Sequence, residues 1–160
     1  MLNVVSNTTP LISLLKLSRI SILREIYTEI SIPFAVYQEI EQGKNKDYYL
    51  DLAEVRWINI IKIKDSNALK YFLELDAGEA EAIVLATELK ADLLLMDEQL
   101  GRLFAKNAGI KMTGTLGLLI KAKELGIVKE LKPLLIELTA KNVWLSMKLQ
   151  REILRRVGEK

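Results

Sequence analysis

Short, unbroken apolar runs recur along this chain, each followed by a stretch with helix-start chemistry, and that alternation limits the fold more than any other feature. The runs are Leu2–Ser6, Ile30–Ile32, Ile58–Ile63 and Leu93–Met96, with a shorter candidate at Lys111–Thr113 after Gly109. A half-exposed strand would alternate apolar and polar residues, so unbroken runs suit parallel strands covered on both faces. The intervening segments read as helices. Pro10 behind Thr8 and Thr9 opens the first, with a hydroxyl cap and proline in the opening turn. Pro33 opens Phe34–Gln42, which Gly43 closes. Asp76-Ala77-Gly78-Glu79 has the form of a capping box ahead of Ala80–Lys90. Glu98–Asn107, Thr115–Leu125, Leu131–Lys141 and Trp144–Arg156 complete the set. The pattern predicts a three-layer α/β/α domain with a mainly parallel central sheet over residues 1–130. Residues 131–160 read as a helical extension of the same domain.

Composition narrows the chemistry. The 160 residues include no cysteine and no histidine. Disulfides, thiolate metal sites and serine–histidine or cysteine–histidine hydrolysis are therefore excluded. An enzyme built from this chain works with carboxylates, lysine, hydroxyls or a hard metal held by oxygen. No segment approaches the roughly 20 apolar residues of a membrane span. The N-terminus lacks the basic start and apolar stretch of a signal peptide, so a cytoplasmic protein is expected.

The formal net charge of +2 conceals a segregation. Residues 1–75 balance nine basic side chains against nine acidic ones. Residues 76–98 carry seven acids against Lys90 alone, and residues 99–160 carry thirteen basic side chains against five acids. Uneven solvated faces would account for this. So would an acidic cation site in one block and a polyanion-binding surface in the other.

Ligands of open parallel sheets bind beyond the carboxyl ends of the strands. The first strand is followed there by Ser6, Asn7, Thr8 and Thr9, the second by a helix carrying Glu39, and the fourth by Asp97 and Glu98. The helix ahead of the fourth strand begins with Asp76, Glu79 and Glu81. Clustered carboxylates repel one another, and a divalent cation relieves that repulsion. Oxygen donors select Mg²⁺ or Mn²⁺, which can activate water and steady the leaving oxygen of a phosphodiester. Each acid also has a purely structural use. Glu79 can cap with Asp76, Asp97 can cap the following helix, and Glu39 can be a solvated helix residue. Glu79 and Glu81 are two positions apart on a helix, about 200° in rotation, so they point in different directions.

Four segments, Val4-Val5-Ser6-Asn7-Thr8-Thr9-Pro10, Leu75-Asp76-Ala77-Gly78-Glu79-Ala80-Glu81-Ala82, Asp92-Leu93-Leu94-Leu95-Met96-Asp97-Glu98 and Gly114-Thr115-Leu116-Gly117, together resemble the PIN-domain superfamily. The branch they resemble is domain-of-unknown-function family 3368 (DUF3368), which is similar to VapC-type toxin ribonucleases. The resemblance implies an endoribonuclease whose acids gather one or two Mg²⁺ or Mn²⁺ ions. By position, the first acid of the family falls on Asn7, the second on Glu39, the third on Glu79 or Glu81, and the fourth on Asp97 with Glu98 beside it. Thr8, Arg102 and Thr115 would be supporting polar contacts. The resemblance also implies RNA as substrate, a homodimer, and a small antitoxin as partner.

Asn7 departs from the usual aspartate. Its amide oxygen can coordinate a hard cation but brings no charge and cannot act as a base near neutral pH. A PIN-fold RNA- or protein-binding module without turnover is therefore the alternative function. A small-molecule-binding α/β domain has less support, since Gly114-Thr115-Leu116-Gly117 lacks the spacing of a phosphate loop. Lys148, Arg151, Arg155 and Arg156 are the candidate phosphate contacts, Arg151 and Arg155 being four apart on one helix face. A solvated face or the rim of a dimer would use the same residues.

Overall fold

A computed structural model describes residues 2–160. Five strands form one parallel sheet: β1 (Val4–Ser6), β2 (Ile30–Pro33), β3 (Ile58–Ile61), β4 (Leu93–Leu95) and β5 (Met112–Thr113). They lie in the order β3-β2-β1-β4-β5. The chain therefore steps outward from β1 through β2 to β3, then returns to the other side of β1 for β4 and β5. The switch point falls between β1 and β4, where Val4, Val5 and Ser6 pair with Leu93, Leu94 and Leu95.

The helices are α1 (Thr8–Lys16), α2 (Ser21–Tyr27), α3 (Phe34–Glu41), α4 (Ala77–Glu88), α5 (Gln99–Asn107), α6 (Thr115–Glu124), α7 (Lys132–Ala140) and α8 (Met147–Arg156). Strand side chains alternate between two layers, as strand geometry requires. Val4 and Leu95 enter a core with Leu11, Leu14, Ile32 and Leu118. Val5, Leu94 and Met96 enter the opposite core with Ile83, Leu85 and Ala105. Both faces are thus covered, and this is the three-layer α/β/α architecture expected of the apolar runs.

The structure differs from the sequence reading in local ways. Four strands are shorter than their apolar runs, with Leu2 exposed and Met96 just past β4, whereas β2 extends by one residue to take in Pro33. The α2 helix and the 3-10 segments Leu52–Glu54 and Ser66–Phe72 have no counterpart in that reading. The first helix begins at Thr8 with Asn7 as N-cap, and no side chain caps it. The Thr8 and Thr9 hydroxyls are committed to carboxylates instead.

The C-terminal helices belong to the first core through Leu134, Leu135, Leu138 and Ile153. Glu159, beyond α8, accepts from the backbone N–H of Leu131 at 2.7 Å and of Lys132 at 3.0 Å. It also pairs with Lys123 Nζ at 2.6 Å, fastening the end of α8 to the start of α7 and to α6. No helix among the described residues is long and apolar enough to cross a membrane.

Candidate active site

The helices α1, α3, α4, α5 and α6 begin near the carboxyl edge of the sheet, and the site gathers residues at or just before their starts, with Glu39 one turn further along α3. Asn7 follows β1 at the switch point, and its backbone N–H donates to Leu95 O of β4 at 2.9 Å. It is buried, with 2% of its surface exposed. Its Nδ2 donates to Glu98 Oε2 at 3.0 Å. That bond fixes the amide orientation, since a flip would set an amide oxygen against a carboxylate oxygen. Asn7 Oδ1 is consequently left buried without a partner, the one such side-chain atom among the described residues. Leaving a buried acceptor unmade costs about 1–3 kcal/mol.

The neighbouring carboxylates come from α3, from α4 and from the turn between β4 and α5. Glu39, on α3, accepts from Thr8 Oγ1 at 2.5 Å and from the Gly78 N–H at 2.8 Å. A Cβ at residue 78 would collide with the Glu39 carboxylate, so glycine is what lets α3 and α4 close together here. Burial raises the Glu39 carboxyl above its ordinary range; the Thr8 hydroxyl opposes this, and the charges of Asp76 and Glu98 add to it. Glu79 forms the capping box with Asp76, accepting the Asp76 N–H on Oε1 at 3.0 Å. Burial raises its carboxyl too, with Asp76 and Glu98 as repelling neighbours. Its Oε2 faces Gly101 of α5. Capping and a place in the acidic cluster therefore coexist in one side chain.

Glu81 meets the start of α3. Its Oε1 accepts the Ala35 N–H at 3.1 Å and so serves the first turn of α3. Of the two residues that the sequence left open, Glu79 is the one set among the other acids. Glu81→Ala is expected to cost about 1 kcal/mol of stability through loss of this cap, read by urea unfolding. Calorimetric Mn²⁺ binding should stay unchanged.

Asp97 accepts from the Thr115 N–H at 2.7 Å and from Thr115 Oγ1 at 2.5 Å. Arg102 donates to Met96 O at 3.1 Å, beside the same turn. Glu98 binds Asn7 with one oxygen and the Thr9 hydroxyl with the other. Thr9, which the sequence placed among the polar residues after the first strand without a role in the site, is thus one of the groups that hold Glu98. Among the described residues no three acidic side chains stand together as a ready metal cage. Each carboxylate is instead held by protein donors.

An all-oxygen donor set with an unpartnered amide oxygen fits a hard divalent cation. Asn7, Glu39, Glu79 and Asp97 could supply ligands, with Glu98 adjacent. The basic residues of α8 lie outside this cluster. Lys148 is exposed near the helix start, and Arg155 and Arg156 are exposed at its end. Arg151 lines an apolar groove with Ile136 and Met147 between α7 and α8.

No curated protein sequence matches the chain. The family comparison does find a match, to DUF3368, described as a PIN domain, over residues 3–159, so it runs through the helical tail as well as the sheet. PIN domains are generally metal-dependent nucleases. With a switch-point acidic cluster on a five-stranded parallel sheet, and a match along nearly its whole length, this chain belongs to the DUF3368 family of PIN domains.

Proposed function

We propose that the protein is a Mg²⁺- or Mn²⁺-dependent endoribonuclease of the VapC toxin type, acting in the cytoplasm on RNA. The observation that carries this reading is the buried, unpartnered Oδ1 of Asn7 among carboxylates at the switch point. Asn7, Glu39, Glu79 and Asp97 would hold one or two cations, with Glu98 beside them. The bound ion would lower the pKa of a water and stabilise charge on the phosphodiester.

The protein's own groups do the rest. Thr115 fixes Asp97 through two donors, and Thr8 with Gly78 fixes Glu39. Arg102 places a cation beside the Asp97 turn, where a phosphate oxygen can meet it. The exposed Lys148, Arg151, Arg155 and Arg156 supply phosphate attraction at longer range. A second copy of the chain and a small antitoxin are the protein partners that this reading entails. Exposed Ile136 and Met147 give such partners apolar surface to cover.

A second reading is an RNA-binding module without turnover. It is favoured by the missing charge at Asn7 and by the lack of a three-acid cage among the described residues. One experiment separates the two: purified protein with Mn²⁺ and a mixed RNA pool, beside Asp97→Ala. Cleavage by the wild type and none by the variant is expected. RNA binding without cleavage would overturn the nuclease and support the module.

A further inference from the structure

Next to Asp97 lies a pocket of about 240 Å³ that none of the carboxylate chemistry uses. Thr9, Asp97 and Thr115, all members of the acidic site, are among its lining residues. Its apolar lining includes Leu116, Leu138 and Trp144. Trp144 is 84% exposed, a large cost for an indole with no one to cover it. The segment carrying it is nevertheless held in place. Val143 N–H donates to Leu138 O at 2.9 Å, and Gln150 Nε2 donates to Leu145 O at 2.9 Å. With the backbone on either side anchored, mainly the indole's own rotamers remain to be ordered on binding.

We propose that this pocket is a nucleobase subsite, with Trp144 as the face on which a base of single-stranded RNA stacks. The volume lies below the roughly 300–1,000 Å³ of sites for larger ligands, which restricts the occupant to a fragment such as one base. Continuity with the acidic site selects the base over other flat apolar groups. A nucleotide whose phosphate meets the Asp97 region carries its base one sugar away, and the pocket begins at Asp97 itself. Stacking on an indole tolerates any base, so the subsite positions single-stranded RNA and excludes paired bases. The inference rests on the proposed RNA-cleaving site, yet it fails separately from it.

The test is made in Ca²⁺, which neutralises the carboxylates, using a Trp57→Phe variant that leaves Trp144 as the only indole. Octauridylate and octaadenylate are expected to quench Trp144 fluorescence saturably, whereas an abasic strand with the same phosphates should not. The abasic strand should also bind about 5- to 100-fold more weakly. A second measurement guards against damage from the Trp57 change. Anisotropy of labelled octamers on the otherwise unaltered protein should show the same loss for Trp144→Ala and near-complete retention for Trp144→Phe. Equal quenching by abasic and base-bearing strands, or undiminished binding by Trp144→Ala, would overturn the subsite. Base-dependent quenching in a protein that never cleaves RNA would support the subsite and overturn the nuclease. Cleavage with undiminished octamer binding in Trp144→Ala would do the reverse.

Discussion

Asn7→Asp is expected to make the protein's stability depend on a divalent cation. In the present site Asn7 Nδ2 donates to Glu98 Oε2 at 3.0 Å. Aspartate replaces that donor with a second carboxylate oxygen in a buried position. Two carboxylates so close cannot both ionise without large cost, and the site already strains to hold Glu39 and Glu79, whose carboxyls are raised. With chelator present, the substitution should cost ~3 kcal/mol, because it turns a hydrogen-bonded charge into an opposed one. For a chain of this size that is a fall of about 6–12 °C in Tm. Mn²⁺ should restore most of the loss, and calorimetry should show affinity rising on the order of tenfold with the added ligand charge. Equal or weaker Mn²⁺ binding by the variant would remove Asn7 from the cation site.

The second large effect is expected at Gly114, the residue before α6. Its backbone, at φ −104° and ψ −173°, is one that alanine adopts freely, so backbone strain plays no part. Space is the obstacle. A Cβ there would lie 2.5 Å from Asp97 Oδ1 and 3.3 Å from the Arg102 guanidinium. Asp97 cannot simply swing aside, because Thr115 holds both of its oxygens. Gly114→Ala should therefore displace Asp97 by around an ångström and lower RNA cleavage ~100-fold. The fold should lose only about 1–3 kcal/mol, the usual cost of overpacking. A loss of cleavage no larger than the loss of folded protein in the assay would mean that Asp97 need not sit where Thr115 holds it.

Much of this architecture can be read from the chain because burial on both faces leaves a local mark. Val4-Val5 and Leu93-Leu94-Leu95 are apolar at every position, since successive side chains enter opposite cores. The capping box at Asp76 and Glu79 is equally local, and it forms as its spacing predicts. The site was legible as a set of residue types beyond strand ends, but not as a set of partnerships. Whether Glu79 or Glu81 joins the acids depends on where the N-terminus of α3 comes to rest against α4, a meeting that sequence spacing does not encode. Thr9 reads as a helix-start hydroxyl because its partner, Glu98, lies 89 residues away. The α2 helix, Ser21–Tyr27, is too short at seven residues to show a clear helical period, and no side chain caps its start.

The attachment at Glu159 has a consequence for a chain without cysteine. Its contacts to Leu131 and Lys132 close α7, the Trp144 segment and α8 into a ring, the topology that a disulfide would otherwise impose. A covalent staple also restrains the unfolded chain, and much of its effect is usually traced to that. This closure exists only once the helices are docked, so unfolding releases the whole ring with nothing left to limit its spread. The helical tail therefore gains rigidity from a link that is remade at each refolding, with no dependence on an oxidant.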